Sequence, residues 1–283
     1  MTPTWSWRLI QSGSFRLDGG AMFGIIPKVM WAKLSPPDEQ NRIVLQTNCL
    51  LLRGHGRTIL VETGYGNKFD AKHRGIYGLE DRWIGSALAE TGTSPEEIDT
   101  VIVTHLHFDH AGGLTCVDEP GGPARATFPR ARIRVQKTEW EDALANKSTM
   151  RATYLRDHLD PIAGQVDLVD GPAEVLPGIR VFPTPGHTWG QQGVEFADDA
   201  GTLVFPGDVM PTFHHSGLPF NMGYDQLPYQ NLLTKRALFD RAVMENLRIV
   251  IDHEPVNPVV RVVSEGGKYS LRAECQRAGA GAS

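Results

Sequence analysis

Four side chains that can bind metal follow directly on a strongly apolar segment near residue 100. Residues 100–104 have the composition of a buried strand, and the next six residues are His105, Leu106, His107, Phe108, Asp109 and His110. Side chains alternate along an extended chain, so His105 and His107 should point to the same side, and a turn would bring Asp109 and His110 beside them. Gly112 and Gly113 would then let the backbone leave sharply. Such donors would be poorly satisfied at a buried strand end without a metal, so the run predicts a metal site.

Further donors lie beyond this run. His187, Asp208 and His253 each come just past the end of a predicted strand, where side chains from separate strands can meet in one cleft. Each of them alone is typical of a turn or capping residue. Imidazole together with carboxylate suits zinc, and also iron, manganese or cobalt.

The bulk composition narrows the class of protein. The chain has 283 residues, a formal net charge of −5 and three widely spaced cysteines, Cys49, Cys116 and Cys275. This charge argues against a nucleic-acid partner, and the cysteine pattern argues against a disulfide framework. The amino terminus shows no signal peptide, and the sequence contains no apolar run long enough to span a bilayer. We therefore expect a cytoplasmic protein without a membrane partner.

Short β-rich runs alternate with helical patterns along the chain. The predicted strands are 43–52, 58–62, 100–104, 132–136, 179–183, 193–196, 202–205 and 248–252. Helices are predicted at 83–90, after a capping box formed by Ser94 and Glu97, after a second such spacing at Thr138 and Glu141, and at 229–245. This order suggests two packed sheets with helices outside them. We expect a single domain over residues 1–275 and a disordered tail over 276–283.

The donors His105, His107, Asp109, His110, His187, Asp208 and His253, in this order and spacing, resemble the ligand set of the metallo-β-lactamase superfamily. The resemblance covers roughly residues 15–260. It implies an α/β (α+β) fold, a four-layer αββα sandwich with two divalent metal ions at one edge, usually zinc. It also implies a role for each ligand: His105, His107 and His187 hold the first metal, Asp109, His110 and His253 hold the second, and Asp208 bridges both.

That ligand set predicts hydrolysis. Two cations about 3.5–4 Å apart lower the pKa of a bridging water and polarise the scissile group, and Asp109 is a candidate proton shuttle. Bridging by Asp208 counts against β-lactam hydrolysis, because true β-lactamases lack this aspartate. Several segments, among them 17–24, 105–115 and 207–212, resemble the quorum-quenching N-acyl-homoserine lactonases, and this resemblance implies opening of a lactone ring.

One departure from that group concerns the oxyanion donor. The resemblance implies a tyrosine three residues after the bridging aspartate, but this chain has Pro211 there. Tyr224 is the substitute candidate, with His214 and His215 behind it, and a structural role for Tyr224 or a solvated histidine pair is the alternative. Glu254 stands where relatives often have aspartate.

The apolar segment 21–31 is predicted to be either a lid that accepts an acyl chain or a part of the core or of a dimer contact. His55, His73 and His158 lack any motif context and are expected at the surface.

Three functions remain open on this evidence. The first is a lactonase, acting on an acyl-homoserine lactone or on a lactone from cofactor catabolism. The second is a phosphotriesterase or phosphodiesterase on the same two-metal site, and the third is a non-catalytic effector or binding protein. The expected partner is a small-molecule substrate, and a homodimer is possible.

Overall fold

The computed structural model describes residues 4–274, so Cys275 and the predicted tail over 276–283 lie outside the described residues. In chain order the strands are β1 (Ser6–Asp18), β2 (Arg42–Gly54), β3 (Arg57–Val61), β4 (Thr100–Ile102), β5 (Thr115–Cys116), β6 (Arg125–Ala126), β7 (Arg132–Gln136), β8 (Val166–Val169), β9 (Ala173–Leu176), β10 (Ile179–Pro183), β11 (Gln192–Asp198), β12 (Gly201–Phe205), β13 (Arg248–Val250), β14 (Val259–Glu265) and β15 (Lys268–Ala273). The α-helices are α1 (Gly19–Phe23), α2 (Lys28–Trp31), α3 (Ala71–Tyr77), α4 (Ile84–Ala89), α5 (Phe108–Ala111), α6 (Lys137–Leu144), α7 (Arg156–Leu159) and α8 (Pro228–Glu245). Short 3₁₀ turns occupy Pro95–Glu97, Gly112–Leu114, Asp160–Gln165 and Phe213–His215.

The strands form two large sheets and one small hairpin. The first sheet has the order β1-β2-β3-β4-β7-β8, and the second has the order β15-β14-β13-β12-β11-β10-β9, while β5 pairs with β6. Strands β3, β4, β7 and β8 run parallel, and β12 runs parallel to β13. Each predicted strand lies on an observed strand, although β1, β5, β6, β8, β9, β14 and β15 were not predicted.

Three hydrophobic layers show how these elements stack. Leu52 and Ile102 of the first sheet share a buried cluster with Phe205 and Val250 of the second, so the sheets pack face to face. Helices α4 and α6 cover the outer face of the first sheet, and α8 covers the outer face of the second. The fold is therefore the predicted four-layer αββα sandwich. The single domain over residues 1–275 stays a prediction.

The segment after β4 differs from its prediction in one respect. Gly112 has an ordinary helical φ of −58°, so it does not turn the chain by adopting a left-handed conformation. A Cβ at Gly112 would lie 2.3 Å from the carbonyl oxygen of Tyr65, and one at Gly113 would lie 2.2 Å from that of Thr63. Both glycines thus allow the metal-binding segment to pack against the backbone that follows β3.

Candidate metal centre

All seven predicted ligands meet at one edge of the sandwich. The segment from His105 to His110 follows β4, while His187, Asp208 and His253 follow β10, β12 and β13. Backbone hydrogen bonds join the two sheets here, from Gln192 to Thr104 and from Gln46 to His253. The predicted ligands are all buried, with the most exposed, Asp109, at 7%.

The first group of donors consists of three histidines. His105, His107 and His187 each present one ring nitrogen, and these nitrogens lie within 4.8 Å of one another. The Nδ1 atom of His105 pairs with the Thr104 hydroxyl at 3.0 Å, while its buried Nε2 has no hydrogen-bond partner. A buried imidazole nitrogen without a partner is costly in a dry interior, and a cation among the three rings would satisfy it.

The second group contains one residue that the sequence did not predict. His110, Asp208, Asp252 and His253 place ligand atoms within 4.8 Å of one another. Asp252 immediately precedes His253, and its Oδ2 is buried without a partner. Asp109 lies at the margin of this group, with its Oδ2 3.5 Å from Nε2 of His253.

The carboxylate of Asp208 lies between the two groups. Its Oδ2 is 3.1 Å from Nε2 of His187 and 4.0 Å from Nε2 of His105. Its Oδ1 is 3.2 Å from Nε2 of His253 and 3.6 Å from Nε2 of His110. One oxygen therefore faces each histidine group, the arrangement that a bridging ligand requires. Asp208 follows Gly207, whose φ is +63°. A Cβ added at position 207 would lie 2.8 Å from Oγ1 of Thr104, so any larger residue there would displace this turn.

Two imidazole nitrogens in the second group face each other in a way that favours a cation. Nε2 of His110 and Nε2 of His253 are 3.1 Å apart. The Nδ1 atom of His253 is hydrogen-bonded to the Gln46 carbonyl at 2.9 Å, and that of His110 lies 3.3 Å from Oε2 of Glu62. Because both acceptors favour a proton on Nδ1, the Nε2 atom of each ring is the one available to a metal, and a metal bound to both would take the place of a proton there.

The charges around the site also favour a bound cation. Burial and the neighbouring histidines hold the pKa of His105 and His107 well below the usual value, so both rings are neutral. Burial opposes protonation of His110 as well, but Glu62, Asp208 and Asp109 outweigh it and raise its pKa to about 9. Burial and the nearby Asp208 raise the pKa of Asp252. The second group is thus a region of concentrated negative charge that favours cations.

A cavity of about 210 Å³ opens onto these ligands. Its floor includes His107, Asp109 and Asp208, and its walls include the apolar side chains of Leu17, Met22, Phe108, Met150 and Met222. Tyr224, the predicted donor, lines it, and so does Tyr77, which the sequence did not single out. The Tyr77 ring stacks on Phe108 at 4.9 Å. Burial, with Asp18 and Asp109 nearby, raises the pKa of Tyr224 to about 12, so its hydroxyl keeps its proton.

The apolar segment 21–31 is partly core and partly cavity lining, and its role as a lid stays a prediction. Phe23 and Trp31 are buried and stack at 5.4 Å, as core residues do. Met22 is buried as well but also lines the cavity. Ile25 and Val29 are strongly exposed, at 87% and 74%.

One expectation about the other histidines was wrong, and the alternative of a solvated pair is excluded for His215. His158 is buried rather than at the surface, because α7 packs it beside Phe69 and near Lys68. His215 is not solvated: its Nδ1 pairs with the Thr212 hydroxyl at 2.7 Å and its Nε2 with the Met22 carbonyl at 2.8 Å. His55 and His73 are exposed as predicted, and His214 is half-buried.

Neither position at which the sequence departs from its relatives is a ligand. The Pro211 carbonyl accepts a hydrogen bond from the backbone of His253. Glu254 is buried, and its carboxylate accepts backbone N–H groups of Phe213, Val256 and Asn257. It fixes the turn that follows His253.

Helices in residues 4–274 include none with the length and apolarity needed to cross a bilayer.

Comparison with known proteins agrees with this geometry. A sequence model described as the metallo-beta-lactamase superfamily matches residues 42–253. An N-acyl homoserine lactonase of Bacillus thuringiensis is 30% identical over 177 residues, which cover 58% of this chain and 64% of the lactonase, less than two thirds of its length.

Solved structures share the fold over nearly the whole chain. A probable metal-dependent hydrolase from Staphylococcus aureus superposes with a TM-score of 0.86 at 28% identity, covering 97% of this chain and 99% of that one. A dizinc quorum-quenching lactonase, solved with a product, has a TM-score of 0.79 at 17% identity, covering 98% and 97% of the two chains, and supports the fold alone. On the family match over residues 42–253, this chain belongs to the metallo-beta-lactamase superfamily.

Proposed function

We propose that this protein is a dinuclear metal-dependent hydrolase that opens N-acyl-homoserine lactones or related lactones. The observation that carries the proposal is the Asp208 carboxylate, which turns one oxygen to each of two histidine groups at the floor of an apolar cavity. The similarity to a lactonase supports the choice of substrate class.

His105, His107 and His187 would hold the first metal, and His110 and His253 would hold the second, with Asp208 between them. The resemblance assigns Asp109 to the second metal as well, and the structure places the Asp252 carboxylate within the same group of donors. We propose zinc because imidazole and carboxylate donors dominate. Two bound divalent ions would supply Lewis acidity and lower the pKa of a water molecule between them.

The remaining groups act on the substrate. Asp109 lines the cavity beside the second group, where it can take a proton from the attacking water and return it to the leaving alkoxide oxygen. The neutral hydroxyl of Tyr224 can donate a hydrogen bond to the lactone carbonyl oxygen as negative charge develops there. The apolar walls, including Leu17, Met150 and Met222, suit an acyl chain.

A phosphotriesterase is the second candidate, and one observation favours it. Tyr77 and Phe108 form a stacked aromatic wall beside the metal ligands, which would suit an aryl leaving group as well as an acyl chain.

Turnover by the zinc-loaded protein separates the candidates. We expect acid release from acyl-homoserine lactones of graded chain length and little hydrolysis of aryl phosphotriesters. Faster hydrolysis of the phosphotriesters would favour the second candidate. Turnover of neither panel, by protein shown to hold two metals per chain, would overturn the hydrolase proposal and favour a non-catalytic effector.

A further inference from the structure

Glu139, in the first turn of α6, is a fully buried carboxylate with three hydrogen-bond donors from three separate segments. Its Oε1 accepts the backbone N–H of Leu106 at 2.9 Å and the Tyr154 hydroxyl at 3.0 Å. Its Oε2 accepts the Thr188 hydroxyl at 2.6 Å. A carboxylate held by this many donors has little freedom to move.

Each of these donors adjoins a histidine of the first group. Leu106 lies between His105 and His107, and Thr188 directly follows His187. The Tyr154 ring lies 5.0 Å from the ring of His107, centroid to centroid. Glu139 therefore bonds to a neighbour of each of the three histidines in that group.

The segment that carries His187 packs directly on the backbone of α6. A Cβ at Gly190 would lie 2.2 Å from the backbone nitrogen of Glu139 and 2.5 Å from its Cα. Any side chain at position 190 would push the segment away from the helix. The close packing therefore fixes the distance between α6 and the segment that carries His187.

The second group has different supports. His110 is paired with Glu62, and His253 with the Gln46 carbonyl. The hydrogen bonds that Glu139 accepts within residues 4–274 come from the residue between His105 and His107, from the residue after His187, and from Tyr154, whose ring lies beside His107.

We propose that Glu139 is a positioning residue that preorganises His105, His107 and His187 for the first of the two metals, and that its influence is selective for that site. The proposal rests on the proposed dinuclear centre. Outer partners of metal ligands characteristically change metal affinity by about 10–100-fold, and here one carboxylate serves all three ligands.

Two single-site backgrounds test this selectivity. The His253→Ala protein keeps the first histidine group, and the His187→Ala protein keeps the second. Zn²⁺ affinity is measured in each by competition with a chromophoric chelator, with and without Glu139→Ala. We expect Glu139→Ala to weaken Zn²⁺ binding about 10–100-fold in the His253→Ala background and by less than about twofold in the His187→Ala background.

Matched variants separate positioning from general damage to α6. Glu141→Ala removes an exposed glutamate from the same helix and should change neither affinity. Glu139→Gln can still accept from Leu106 and donate to the Thr188 oxygen, so it should restore most of the Zn²⁺ affinity. If Glu139→Ala does not fold, as judged by circular dichroism, Thr188→Val removes one of the three bonds and should show the same selectivity with a smaller effect.

Equal losses in both backgrounds, or no loss in either, would overturn the role of Glu139. Binding of fewer than two Zn²⁺ per wild-type chain would instead overturn the dinuclear centre. The two failures are therefore distinguishable.

Discussion

The carboxylate of Asp225 is paired with Nδ1 of His187 at 2.9 Å, and both side chains are buried. Since a carboxylate only accepts, the ring proton lies on Nδ1 and Nε2 is left free towards the metal site. The other oxygen of Asp225 accepts from the backbone of Met222 and from Asn231. Asp225 therefore sets the orientation of a proposed metal ligand and also holds a wall of the cavity.

This pairing makes Asp225→Asn informative. An asparagine has one acceptor oxygen, so it cannot serve both His187 and the Met222 backbone. We expect Zn²⁺ affinity to fall about 10–100-fold, measured by chelator competition. The exposed Asp240→Asn, in α8, is the control, and an unchanged affinity in Asp225→Asn would contradict this role.

Asp208→Ala should remove the carboxylate shared by both histidine groups. We expect metal content below two per chain by mass spectrometry, and lactone hydrolysis reduced at least about 10³-fold, a loss of ~4 kcal/mol in transition-state stabilisation. Full activity at unchanged metal content would show that Asp208 does not bridge.

Tyr224→Phe should separate catalysis from metal binding. Loss of one hydrogen-bond donor to a developing oxyanion lowers kcat by about 10²–10³-fold, while both metals should remain because no ligand changes. Tyr77→Phe is the matched variant in the same cavity. If kcat falls only in Tyr77→Phe, the donor is Tyr77 and the assignment of Tyr224 is wrong.

Lys235 gives a prediction for stability against pH. Its ammonium is buried and donates to the carbonyls of His215 and Phe220 and to Asn221, and burial lowers its pKa from 10.5 to about 7. Between these two values the unfolded chain binds more protons than the folded one, so the free energy of unfolding should rise with pH, by at most about 1.4 kcal/mol per unit.

Urea denaturation at pH 7, 8 and 9 checks this expectation, with the wild-type protein and Lys235→Met compared at the same metal loading. The rise should be smaller in Lys235→Met, which has no titratable group at that position. Parallel curves for the two proteins would show that Lys235 does not titrate in this range.

The cluster of donors could be predicted because each of them follows a recognisable strand. A donor at the end of β4, β10, β12 or β13 carries its own local signal, and parallel strands bring such ends to one edge of the sandwich. Asp252 has the same placement beside His253, but one carboxylate at a strand end is too common to be singled out without its neighbours.

The supporting residues could not be predicted for a different reason. Glu139 and Glu62 are 33 and 42 positions from their backbone partners in the metal-binding segment, and only the packing of α6 and the pairing of β3 with β4 bring them there. Similarly, β1 contains Ser12, Gly13 and Ser14 and has a weak strand pattern. Its pairing along β2 determines its structure.

A local sequence pattern also predicted the wrong start for a helix, because the neighbouring strand determines where that helix begins. Thr138 and Glu141 have the spacing of a capping box, yet α6 begins at Lys137, with Gln136 as its N-cap. Strand β7 ends at Gln136, so the helix starts as soon as the strand ends and Thr138 already lies in its first turn. At Ser94 and Glu97, where no strand intervenes, the predicted capping box is present.

The position of Asp208 between the two histidine groups bears on the order in which the protein can acquire its metals. The donors are spread over nearly 150 positions, and His253 is the last of them along the chain. A nascent chain that has folded only its first sheet would display His105, His107 and His110 without the residues that close either site. In the proposed dinuclear centre, loading with two ions would therefore follow the docking of the second sheet, and each bound ion would then oppose separation of the two sheets.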